Sequence, residues 1–267
     1  TRDSTAFTLA TDQRRTAEQL AVRFDQAELS IKVMPDEQAI DAVAVLDFTA
    51  TASVERLSVE LDTLLAISSV QVDGAEIAAD RWANPEGRLT VELPRALANG
   101  ETVKLRIAYA GKPRVAPRAP WDGGFVWETA PGGEPWIATA VQGEGCDLFW
   151  PCIDHPLAEP GRVIQHLTVP TGLVAAGNGR FLGSEDHGDG WTTWNWSAAQ
   201  PNTYAVALNI GPYVLKEATY HSRFGNSFPM QYWHLKSDDP AQVDALFAEF
   251  APMLDFFEAD VGPYPLA

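Results

Sequence analysis

The chain has 267 residues, 46% hydrophobic and 21% charged, a globular composition that can bury a sizeable core and excludes a disordered chain. Its net charge of −17 and sequence pI near 4.5 argue against nucleic acid and anionic membrane surfaces as partners. No apolar run approaches the roughly 20 residues that span a bilayer as a helix.

In chain order, Thr1 to Thr16 reads as a polar, loose arm. Ala27, Leu29, Ile31 and Val33 then alternate with Glu28, Ser30 and Lys32, the period of a half-buried strand. Ala42, Ala44, Leu46 and Phe48 suit its antiparallel neighbour, and Leu57, Val59 and Leu61 continue the pattern. Val70 and Val72 run into Asp73-Gly74, a hairpin signal. Leu89 to Leu93 and Val103 to Tyr109 complete a run of short antiparallel strands with turns at sandwich spacing. A Pro/Gly-rich connection, Gly111 to Gly124, follows. Phe125 to Trp127 should pair with Trp136 to Val141, and further strands are expected at Val163 to Val169, around Trp194 and Trp196, and at Tyr204 to Ile210. Near Ser237 the pattern changes. Asp239-Pro240 is a helix start, and Val243, Leu246, Phe247, Phe250, Leu254 and Phe257 fall on one face of a single amphipathic helix that Pro252 should kink.

The stretch from Trp136 to Pro156 carries the chemistry. An apolar strand ends in Gln142 and Glu144, with Gly143 and Gly145 on either side of the carboxylate, and then a Pro-Cys-Ile-Asp-His-Pro corner. A carboxamide and a carboxylate exported from a strand end suit recognition, although loops are commonly polar without any such role. Cys146 and Cys152 are too few for a disulfide scaffold; they can pair, but two buried free thiols are the simpler expectation. Cys146, Cys152 and His155 do not have the spacing of a structural zinc site, and no H-E-x-x-H occurs. G-x-S-x-G and phosphate-loop signatures are also missing, and Asp36-Glu37 and Asp238-Asp239 are sequence neighbours that point different ways. On its own chemistry the chain is a poor enzyme candidate.

These motifs resemble the N-terminal domain of the M1 family of zinc aminopeptidases, the aminopeptidase N and leukotriene A4 hydrolase group. The resemblance rests on Q-x-E at Gln142 to Glu144 and W-P-C-I-D-H-P at Trp150 to Pro156, similar to the family's F-P-C-x-D-E-P. Thr168 to Gly179, Gly111-Lys112-Pro113 and Val261 to Pro265 match further family segments in the same order. It implies an all-β, saddle-like, mostly antiparallel β-sandwich over residues 1–236, and over 237–267 the first helix of a thermolysin-like catalytic domain. It also implies that zinc, its ligands and the G-x-M-E-N segment lie beyond Ala267, leaving this fragment with no catalytic or metal-binding residue. Gln142 would then line the pocket for the first side chain, and Glu144 would bind the free α-amino group of a peptide substrate. The chain's partner would be its own catalytic domain.

Three features depart from the family pattern. The spacing from Gln142 to the Pro-Cys corner is shorter, Asp147-Leu148-Phe149 lacks the usual arginine, and His155 replaces glutamate. They suggest a divergent bacterial-type branch, with the compartment left open between periplasm and cytoplasm. Two other readings are a non-catalytic M1-like scaffold that has lost zinc, and a free-standing β-sandwich whose exposed tryptophans bind sugar or peptide.

Overall fold

The computed structural model describes residue 11 and residues 13–265. Most of the polar arm expected at Thr1 to Thr16 lies outside them. Thr16 itself is fixed, because its hydroxyl accepts from Gln19 N and the Gln19 side chain accepts from Thr16 N, a reciprocal cap on α1 (Ala17–Leu20). The chain continues through β1 (Val22–Met34), β2 (Ala39–Ala50), β3 (Val54–Glu60), β4 (Leu65–Val72), β5 (Ala75–Glu76), β6 (Trp82–Ala83), β7 (Arg88–Leu97) and β8 (Thr102–Gly111). After the Pro/Gly-rich connection come β9 (Gly124–Thr129), β10 (Pro135–Ala140), β11 (Arg162–Pro170), β12 (Val174–Ala176) and β13 (Arg180–Asp186). The last strands are β14 (Trp191–Ala199), β15 (Asn209–Gly211), β16 (Tyr213–His221) and β17 (Ser227–Leu235), followed by α2 (Pro240–Ala248) and α3 (Phe250–Asp260).

The fold is all-β except for these helices. An eight-stranded sheet has the order β13-β14-β11-β1-β2-β8-β4-β5, and β3-β7-β6 form a three-stranded sheet. The alternation sets the packing: Ala27, Leu29, Ile31 and Val33 of β1 are buried and meet Leu57 and Val59 of β3 and Leu89 and Val91 of β7 in one core. The Asp73-Gly74 hairpin closes β4 on β5, with both residues at positive φ. Among the described strands the pairing is antiparallel, apart from β1 with β11, which run parallel from Gln26↔Arg162 to Lys32↔Thr168, and an isolated parallel bridge joins Val115 to Phe125. A four-stranded sheet, β12-β15-β10-β9, carries the glycine-flanked loop at the end of β10.

Two expectations are corrected. The strand expected at Tyr204 to Ile210 is confined to Asn209–Gly211, and Thr203–Ala205 is a 3-10 turn. Side chains satisfy its backbone in place of a ladder: Asn202 Oδ1 accepts from Tyr204 N at 3.0 Å, and Asn178 bonds Ala205 O and Ala207 N at 2.8 Å each. Cys146 and Cys152 are not free thiols but a disulfide with Cα atoms 6.3 Å apart, because the turn after β10 folds back beside the Pro-Cys corner. The C-terminal helix expected from Pro240 is present as α2 and α3, which run on through Glu249 in helical conformation; Pro252 has no N–H to return to Ala248 O and kinks the helix there.

Candidate functional site

The end of β10 is a tight turn. Glu144 N and Gly145 N both donate to Val141 O, at 3.0 and 2.9 Å, and Gly143 and Gly145 sit at φ +73° and +102°. At Gly145 a Cβ would fall 2.2 Å from Asp154 Oδ2, so only glycine lets the corner's carboxylate approach. A short 3-10 turn, Cys146–Leu148, then leads to the disulfide.

The edge next to β3 is the floor of this loop. Glu60 and Cys152 exchange backbone hydrogen bonds at 2.7 and 3.1 Å, and Asp62 N donates to Asp147 O at 3.0 Å. The Glu60 carboxylate, 6% exposed, accepts from Gln19 Nε2 at 2.7 and 2.9 Å and from Asp154 N at 3.2 Å, with Arg88 Nε 3.5 Å away. Burial pushes the Glu60 carboxyl above its ordinary range, although the Gln19 bond opposes this. On the other side, Tyr109 Oη donates to Phe149 O at 2.8 Å across the core.

The two residues singled out from sequence share this loop but differ in environment. Gln142 is exposed, and its Oε1 accepts from Tyr204 Oη at 2.5 Å. Glu144 is 2% exposed, and its Oε1 lies 3.4 Å from Arg114 Nη2, a guanidinium that is itself only 11% exposed. Close by, Asp62 is fully buried, and its Oδ1 accepts from Leu64 N at 2.8 Å. Burial pushes the Asp62 carboxyl up; the Leu64 N–H and the Arg114 charge pull it back, and the Glu144 charge pushes it further up.

Sequence reasoning missed Arg114, Asp62 and Tyr204, which come from three separate segments. Only Arg114 had a pointer, since it directly follows the Gly111-Lys112-Pro113 motif. The loop offers an exposed carboxamide beside a buried carboxylate with a guanidinium counter-charge. Such an arrangement can orient a polar ligand and read a cation. Of the nine tryptophans, all among the described residues, Trp121 alone is exposed. Among the described residues no group of three or more His, Cys, Asp or Glu side chains is arranged to hold a metal ion.

The Peptidase M1 N-terminal domain family matches residues 23–204. Among solved structures, the chain is similar to a mutant M1 zinc metallopeptidase from Deinococcus radiodurans bound to a Tyr-Ser-Ala substrate, with a TM-score of 0.75 and 26% identity over 92% of this chain and 55% of that one. It is similar also to a two-domain M1 zinc metallopeptidase mutant bound to L-arginine, with a TM-score of 0.75 and 25% identity over 96% of this chain and 56% of that one. The chain therefore spans little more than half the length of these structures. No curated protein matches it by sequence.

Proposed function

Because the chain belongs to the peptidase M1 N-terminal domain family, we propose that it is the substrate-side domain of a zinc metallo-aminopeptidase, which removes N-terminal residues from peptides. The observation that carries this reading is the likeness, over 92% of the chain, to an M1 zinc metallopeptidase with a peptide bound. Residues 1–236 are the β domain, and 237–267 begin the catalytic domain. Among the described residues the β16–β17 hairpin pairs with no other sheet, and its Tyr220 donates to Glu258 of α3; in this reading it is where the two meet.

The described residues do not fit a zinc site, so in this reading the metal and the catalytic base belong to the catalytic domain, and the fragment alone is inactive. This chain's own part is recognition. The exposed Gln142 borders the pocket for the first side chain, steadied by Tyr204. Glu144 takes the substrate's α-ammonium in a charge-assisted hydrogen bond, which selects free amino termini over blocked ones. Its burial means that the ammonium is admitted by a small shift of the turn between Gly143 and Gly145, and it then shares the carboxylate with Arg114.

The test is hydrolysis of a panel of aminoacyl-anilides by the full-length protein, with and without a zinc chelator. Release that the chelator abolishes supports the reading. No turnover together with no bound zinc would leave a non-catalytic M1-like scaffold.

A further inference from the structure

An arginine beside a carboxylate that receives an ammonium poses a problem of charge. Arg114 is a permanent cation 3.4 Å from Glu144, and both groups are nearly closed off from water, where such a pair is weakly screened. Alone, the pair would be neutral, and an arriving ammonium would meet a guanidinium of its own sign. The structure supplies a third member. Asp62, just past β3, is fully buried. Its Oδ1 is engaged by Leu64 N, whereas its Oδ2 is buried with no hydrogen-bond partner. It is within electrostatic reach of both Arg114 and Glu144. Its backbone N–H is fixed on Asp147 O, three residues beyond Glu144, so β3 and the Glu144 loop hold the carboxylates in register. With both acids ionised, two carboxylates and one guanidinium carry one net negative charge within this trio.

We infer that Arg114 and Asp62 are positioning residues for Glu144: Arg114 aims the carboxylate, and Asp62 offsets the Arg114 charge, so that a substrate ammonium meets a single net negative charge. The inference deepens the aminopeptidase reading and rests on it.

The experiment is calorimetric binding to the full-length protein, with turnover stopped by a zinc chelator. The probes are the peptide Tyr-Ser-Ala with a free amino terminus and the same peptide N-acetylated. Wild type should prefer the free peptide. Asp62→Asn keeps the oxygen that Leu64 N binds but removes the charge, and should cut that preference about tenfold, the size of one pKa unit of charge interaction. Affinity for the acetylated peptide should not change. Arg114→Lys keeps the charge and should keep most of the preference. Equal weakening of both peptides by Asp62→Asn, or weakening of neither, overturns the inference while the aminopeptidase reading stands. A wild type without preference overturns both. Where Asp62→Asn does not fold, loss of preference in an Arg114→Lys protein with wild-type thermal unfolding overturns the inference on its own.

Discussion

At the scale of single residues, burial sets what the charges beneath the loop contribute to stability. Burial raises the Asp62 carboxyl, so the folded chain holds that proton to higher pH than the unfolded chain does. The contribution of Asp62 to stability therefore declines as pH rises from about 3.9, the ordinary Asp value, through its raised folded value. Asp62→Asn should leave the chain at least as stable as wild type at pH 7, measured by the urea midpoint. A clearly lower midpoint would mean that the ionised carboxylate is a net stabiliser. The same residue scale shows where sequence reading stops. Gln142 and Glu144 were legible because they lie two apart in a recognisable motif. Asp62 was not, because only the pairing of the β3 end with the loop after β10 brings it there, and Arg114 arrives on the connection before β9, where Phe125 N donates to Arg114 O. Nothing in the spacing of residues 62, 114 and 144 announces a charge trio.

At the scale of elements, the disulfide and α3 each make a prediction. Cys146 and Cys152 are six positions apart and fully buried, and they tie the Glu144 loop to a corner already paired with β3. Closing so short a loop removes unfolded-state entropy worth about 2 kcal/mol. The double variant Cys146→Ser, Cys152→Ser should lose about that much in denaturant unfolding. Unchanged stability would mean that the bond adds nothing the hydrogen bonds do not already supply. For α3, Glu258 is 3% exposed, with Oε1 accepting from Ser222 Oγ at 2.6 Å and Oε2 from Tyr220 Oη at 3.0 Å. Burial pushes this carboxyl up, but bonds from Ser222, Tyr220 and the backbone N–H groups of Arg223 and Tyr264 outweigh it and hold the carboxyl below its ordinary range. A depressed folded pKa gives stability that is present above about 4.3 and lost as pH falls through the folded value. Glu258→Gln should therefore melt earlier than wild type at pH 7, with the gap closing in thermal scans below about pH 4.3. A gap that stays constant down to pH 3 would contradict this.

The strands themselves were readable, since alternation of apolar residues forces one face into the core. The antiparallel partners β1 and β2, the Asp73-Gly74 hairpin and the β9–β10 pair follow from local pattern. The parallel pairing of β1 with β11 joins residues about as far apart as Gln26 and Arg162 and leaves no local mark. Tyr204 to Ile210 misled for the opposite reason: the apolar run is real, but Asn202 and Asn178 take its backbone groups before a ladder can.

At the scale of the molecule, a chain with net charge −17 presents an all-β unit whose glycine-flanked loop holds one exposed carboxamide and one buried carboxylate. Beyond it, α2 and α3 bury Val243 and Phe247 but leave Leu246, Met253, Phe256 and Phe257 exposed. The central claim is that Glu144 reads the free amino terminus of a peptide. Its most direct test is kcat/KM of full-length Glu144→Gln against wild type, with an aminoacyl-anilide as substrate. Loss of a buried charge-assisted contact predicts a fall of about thirtyfold, equivalent to about 2 kcal/mol. An unchanged kcat/KM would remove Glu144 from the site and contradict the account.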